Sequence, residues 1–277
     1  YEVVAARNLF AYSTDWDRRA ALAAVDDCGG TYAVVLQADG DDPLSNGYAA
    51  LAVSVGSKGK TKVSGTMPDG TKVSVSSQLL ILPDADEYVV PVVVPLYSGK
   101  KGGFGFGLQF LRDEEFGVVS NVTVFGATEW TANPGKANEF VSTLTEVGVD
   151  ETGNLAGPSA FEMEGAFDVD AEITPDGTPV TPSGTKWVLP KADKVKFDRE
   201  SESYDVTTDY ENPAGLKLTY TAKSGTFKGS FKVYAVTDAG KSKKYTANVT
   251  GAVLGGVGYG TATIKKVGSV PVIIEAK

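Results

Sequence analysis

Carboxylates are the side chains of this sequence best suited to chemistry. Glu162 with Glu164, Asp168 with Asp170 and Glu200 with Glu202 each stand two residues apart, which puts both acids of a pair on one side of a strand. Glycoside hydrolysis needs two carboxyls flanking the scissile bond. The same spacing is also the ordinary solvated face of a strand, and glycosidases usually draw their pair from different strands. No catalytic residue is therefore assigned, and the chain is read as non-enzymatic.

The absence of histidine from all 277 residues is the strongest restriction. It removes the commonest general base, the Ser-His and Cys-His nucleophile pairs and the usual zinc ligand. Cys28, the single cysteine, has no partner for an intrachain disulfide and is expected to be a buried, inert thiol. Asp39, Asp41 and Asp42 offer oxygen ligands for a hard cation such as calcium, although Asp-Gly and Asp-Pro are also standard turn chemistry. No other cofactor is implied. Two glycine-rich stretches, Gly99 to Gly103 and Gly255 to Gly260, fail as phosphate loops because neither has the Gly-Lys-Ser/Thr order or a helix after it.

Binding rather than catalysis is left to the aromatic residues. Trp130 and Trp187 are candidates for stacking on a sugar face, the competing expectation being that such rings fill a core. Phe10 and Trp16 are candidates for contact with a partner subunit. Asn121-Val122-Thr123 and Asn248-Val249-Thr250 match the glycosylation acceptor pattern but lie within strand patterns, and are taken as chance. A net charge of −9 speaks against nucleic acid or anionic lipid as a main partner, since both need a positive surface. No apolar run approaches the roughly 20 residues of a membrane-spanning helix, so membrane insertion is not expected. The opening Tyr1 to Arg7 has neither a basic nor an apolar signal region and no initiator Met; it is read as the start of a mature or trimmed chain, which permits export.

These residues need elements to position them, and nearly all of those elements read as strands. Thirty-two glycines, 12 tyrosines and 12 phenylalanines against two methionines are the balance of a strand-and-turn protein. Leu51, Val53 and Val55 alternate with Ala52 and Ser54, and further alternating runs follow across Gly-containing turns, the pattern of half-buried antiparallel hairpins. Tyr88 to Tyr97 is a nearly continuous Val and Pro run. Pro91 and Pro95 cannot donate to a ladder, so it is expected at an edge or a bulge. Phe104, Phe106, Leu108 and Phe110 share one face with glycines opposite, as at a tight curve. The one helical stretch follows Ser13 or Thr14 as cap, with Asp15 and Asp17 in its first turn, and ends at Cys28-Gly29-Gly30. It reads either as a docking arm or as a helix capping an open barrel end.

Leu51 to Thr66 and Leu216 to Ser230 resemble each other, as do the turns at Asp69-Gly70 and Asp238-Ala239-Gly240 and the Gly-aromatic strands Gly103 to Phe110 and Gly256 to Ile264. A diverged duplication follows. The expected organisation is an N-terminal helical arm over 1–30, a first β unit over 31–130, a turn-rich crossover over 131–186, with strand candidates at Phe140 to Val147 and Phe161 to Ile173, and a second β unit over 187–277. The fold class is all-β: an antiparallel barrel or sandwich built from two diverged repeats, with a short N-terminal helix. Closure into one pseudo-symmetric barrel is preferred over two adjacent barrels.

Tyr48 to Leu51, Met67-Pro68-Asp69-Gly70-Thr71-Lys72, Pro95-Leu96-Tyr97, Gly102-Gly103-Phe104-Gly105, Lys223 to Phe231 and Gly258-Tyr259-Gly260 are together similar to an uncharacterised Gly/Tyr-rich β-repeat of large exported bacterial surface proteins. The resemblance covers roughly 31–130 and 187–277. It implies an extracellular or cell-surface setting and brings no catalytic residue or ligand. The expectation is a structural, adhesive or assembly subunit that associates with itself or with other surface proteins; the alternative is a carbohydrate-binding module.

Overall fold

The computed structural model describes residues 9–11, 14–39, 47–82, 87–97, 102–113, 115, 118–126, 128–132, 139–152, 161–164, 185–187, 217–236, 242–264 and 268–275. One helix, α1 (Asp15–Cys28), precedes the strands. Thr14 caps it: its backbone is extended and its Oγ1 accepts from the Asp17 N–H at 3.0 Å. The chain leaves the helix at Gly29, whose N–H donates to the Val25 carbonyl. A Cβ on Gly29 would lie 2.5 Å from that oxygen, so the exit demands glycine. Ala21, Ala24 and Cys28 are buried, and their small size lets the helix sit close on what lies beneath.

Beneath it lies a sandwich. One sheet takes β1 (Gly30–Asp39), β2 (Gly47–Val55), β3 (Lys60–Thr66) and β4 (Lys72–Gln78) as a meander. The other is built from β5 (Leu80–Ile81), β6 (Glu87–Leu96), β7 (Gly102–Arg112) and β8 (Val119–Phe125) in that order. The chain then returns to the first sheet with β9 (Thr128–Ala132) and β10 (Phe140–Glu151), giving the order β4-β3-β2-β1-β10-β9. Between the two sheets sits one core, with Val34, Leu36, Leu51, Val53 and Val63 facing Val90, Val92, Phe106, Leu108 and Phe110. Burying each such side chain is worth about 1.5–3 kcal/mol, so this layer dominates the stability of the region.

β6 explains its prolines. Val90, Val92, Val94 and Leu96 are buried, whereas Pro91, Val93 and Pro95 are exposed. β5 pairs only with Tyr88 and Val89, and the whole of β6 pairs with β7. Beyond Val89, one side of β6 therefore lacks a ladder among the described residues, and the missing proline donors point there. The Ser77 hydroxyl donates to the Pro91 carbonyl, which fastens the edge of β4 to this side.

A third layer follows. β11 (Phe161–Glu164), β12 (Thr185–Trp187), β13 (Lys217–Thr221), β14 (Thr226–Val236), β15 (Ser242–Leu254), β16 (Val257–Ile264) and β17 (Gly268–Glu275) form a seven-stranded antiparallel sheet, order β12-β11-β17-β16-β15-β14-β13. One of its faces buries Phe227, Phe231, Val249, Ala262, Val272 and Ile274. The other packs Ala252, Leu254, Tyr259 and Ile273 on Ala33, Val35, Tyr48 and Ala50 of β1 and β2. The Tyr48 and Tyr259 rings meet edge to face at 5.3 Å. Thr261 Oγ1 accepts from the Tyr48 N–H and donates to its carbonyl, both at 3.1 Å. β3 reaches β2 only from Ala50 onward, so this hydroxyl stands in for a missing rung of the ladder.

The all-β antiparallel class with a single short helix is the fold observed. Three expectations are corrected. β2 is not half-buried: eight of its nine residues are buried, because the seven-stranded sheet lies on the face that alternation assigns to solvent. Among the described residues the strands lie in three sheets, none of which closes on itself, so the barrel-or-sandwich class is present there without the preferred closure into one pseudo-symmetric barrel. The likeness of the two repeats also stops short of topology: β2-β3-β4 and β13-β14-β15 are both meanders, but β7 belongs to a separate sheet from β2 while β16 shares the sheet of β13.

Within the stretch expected to be a crossover, β10 pairs with β1 along eight positions. Its register shifts between Val35 and Leu36, which face Gly148 and Glu146 and leave Val147 as a bulge. Leu144 before the bulge and Val149 after it both meet the sandwich core, so the buried phase changes from even to odd within one strand. A period-two pattern does not survive that change.

Candidate functional site

The structure separates the aromatic candidates. Trp130 is fully buried, and its Nε1–H donates to Tyr97 Oη at 3.1 Å. Tyr97 Oη donates in turn to Asp69 Oδ2 at 2.8 Å, and that carboxylate also accepts from the Thr71 N–H and Oγ1. Tyr97 takes φ 63°, a conformation that costs a non-glycine residue on the order of 1–3 kcal/mol and is held by these bonds. Trp130 thus fills the sandwich and offers no ring face for a sugar, which corrects its assignment as a ligand residue. Trp187 pairs with Phe161 through its backbone; its side chain lies outside the described residues.

Phe10 is also used internally. Its ring lies over Gly59 (φ +63°), where a Cβ would come within 2.3 Å of it, and it packs against the sandwich core. Trp16, in contrast, is 69% exposed. Of the acidic candidates, Asp39 ends β1 exposed, and its backbone carbonyl accepts from Ser142 Oγ at 2.9 Å. Asp41 and Asp42 lie outside the described residues. Glu162 and Glu164 stand on β11, Glu162 opposite both Lys186 and Glu275 in the backbone register. Asp168, Asp170, Glu200 and Glu202 lie outside the described residues.

Charged and aromatic groups missed by sequence reasoning hold α1 in place. Asp27 Oδ2 accepts from Tyr88 Oη at 3.0 Å and lies 3.5 Å from Arg112 Nε, while the guanidinium covers the Tyr88 ring at 5.7 Å. Tyr32 Oη donates to the Cys28 carbonyl at 3.0 Å, and its ring meets Phe110 edge to face at 5.2 Å. Burial first, and then the bond to the Asp27 carboxylate, push the Tyr88 phenol well above its ordinary range. Burial raises Tyr32, helped by the Glu151 charge. Burial also raises the Cys28 thiol, helped by Asp27, so the thiol stays protonated and unreactive at neutral pH, in line with the expectation for it. A sequence signal existed: an acid in the last turn of a helix faces the negative end of the macrodipole and calls for a cation. Nothing in the sequence names Arg112 as that cation.

Among the described residues, exposed large apolar side chains gather on two surfaces of this frame, with Val141 exposed apart from them. One is the outer side of α1, with Trp16 and Leu22 exposed. The other is the outer face of the four-stranded sheet, where Val93 is 76% exposed between Pro91 and Pro95, and Phe125 lies across Gly107. No family model, no curated protein and no solved structure matches this chain. The reading of the site therefore rests on its own geometry.

Proposed function

We propose that this chain is a non-enzymatic structural or assembly module of an extracellular or cell-surface protein, and that the outer side of α1 is where it meets a neighbour. The observation that carries the reading is Trp16. A tryptophan 69% exposed projects from a helix whose inner side is anchored through Ala21, Ala24, Cys28 and the Asp27–Arg112 pair. An aromatic residue on a rigid support loses little conformational freedom on contact, and such residues dominate the energetics of interfaces. The cell-surface setting is supported by the resemblance to exported β-repeats.

Size exclusion with light scattering on the intact chain, at low and millimolar calcium, tests the reading. Species heavier than the monomer are expected, and their loss in Trp16→Ala. A monodisperse monomer indifferent to calcium would overturn assembly. A glycan-array signal abolished by Trp187→Ala would replace assembly with carbohydrate binding.

A further inference from the structure

The outer side of α1 carries more than Trp16. Trp16, Arg19, Leu22, Ala23, Asp26 and Gly29 are all exposed, and their spacing of three and four places them in one stripe along the helix. Asp26 stands in the last turn of the helix, at the negative end of the macrodipole, where a solitary helix disfavours an acid, and Arg19 stands two turns before it on the same side. Asp27 next to it is matched by Arg112 from β7; Arg19 and Asp26 have no ion pair among the described residues.

We infer that the partner of this stripe is the same stripe of a second copy, packed antiparallel about a two-fold axis between Leu22 and Ala23. Arg19 and Asp26 lie about 10 Å apart along the helix, at 1.5 Å per residue. An antiparallel copy with its axis at that point sets each Arg19 beside Asp26 of the second copy, twice by symmetry. It sets Ala23 against Leu22 across the axis, where the small residue lets the helices approach to about 8–10 Å. It also brings Trp16 over the exposed Gly29 of the second copy. The pairing matches both charges, opposes the two macrodipoles and covers both exposed apolar side chains.

One 14-residue helix presents less than the roughly 800 Å² per partner of a standard interface, so this association is weak and concentration-dependent. It deepens the assembly reading and rests on it.

Sedimentation velocity over about a hundredfold range of concentration separates the two. The variants are Arg19→Glu, Asp26→Arg and the two combined, with circular dichroism and thermal midpoints as folding controls. Each single reversal places like charges together at two positions and is expected to weaken the dimer about tenfold or more. The double reversal restores opposite charges and returns the affinity to within about threefold of the starting chain. Heavier species that none of the variants moves would overturn the helix pairing and leave assembly standing. A monomer at every concentration would overturn both.

Discussion

Among the described strands, β7 and β16 both alternate glycine with larger residues, and the fold uses them in opposite senses. In β7 the larger residues Phe104, Phe106, Leu108 and Phe110 point into the sandwich. Gly103, Gly105 and Gly107 form the outer face, where the exposed Phe125 ring lies over Gly107. In β16 the glycines are inside. Gly258 and Gly260, with Gly251 of β15, form a floor under the Phe227 ring, which comes from β14. Tyr259 of β16 turns the other way and meets Tyr48 of the sandwich. Alternation thus marks a strand with two unequal faces but does not say which face is the core. In β7 the core lies under the strand's own rings; in β16 a neighbouring strand supplies the ring.

The largest expected effect tests the imported ring. Phe227→Ala should destabilise the chain by about 3–5 kcal/mol, read from urea unfolding, because a buried ring leaves three bare glycines behind. A loss under about 1 kcal/mol would mean that the glycine floor does not depend on Phe227.

Gly260→Ala and Gly105→Ala compare the two glycine faces directly. A Cβ at Gly260 would lie 2.5 Å from the Thr250 carbonyl oxygen and 3.1 Å from Gly251 Cα, both backbone, so about 1–3 kcal/mol should be lost. At Gly105 the nearest atom is the Val92 oxygen at 3.2 Å, a milder approach, and the loss should be the smaller of the two, within about 1 kcal/mol. Equal losses at the two sites would erase the distinction between them.

Thr261→Val keeps the shape of β16 and removes the hydroxyl that serves both backbone groups of Tyr48. Leaving those groups unsatisfied should cost about 1–3 kcal/mol. Hydrogen exchange of the Tyr48 amide should accelerate with it; an unchanged rate would show that the seven-stranded sheet does not complete β2.

The last effect is silent at neutral pH. Cys28, Tyr32 and Tyr88 at the helix end of the sandwich have folded pKa values raised by burial. Their stabilising share is present in full below the unfolded values, about 8.5 for a thiol and about 10 for a phenol. It is lost as pH rises through and above those values. Thermal midpoints should therefore hold steady near neutrality and fall in alkali, and Tyr88→Phe should flatten the fall. A midpoint unchanged up to strongly alkaline pH would show that these groups are not buried in solution.

Much of this was legible from local pattern. A cap at Ser13 or Thr14, Gly29 as exit, Cys28 as a buried thiol, the edge character of Pro91 and Pro95 and the inward face of β7 each follow from the needs of a residue and its immediate neighbours. β10 was harder to read because a single bulge reverses its buried phase. The candidate site was legible only in part: Trp16 and Phe10 have the same aromatic credentials, and only their placement over solvent or over Gly59 tells them apart.

By itself the sequence determined the class of fold, the short helix and its caps, the strand edges and the lack of histidine chemistry. These depend on backbone geometry and side-chain type, which are local properties. Tertiary structure alone decided that β2 is covered on both faces, that Trp130 is core while Trp16 is surface, and that Arg112 answers Asp27. Those outcomes depend on which distant strands stack on one another, and burial belongs to the pair of surfaces in contact rather than to either strand.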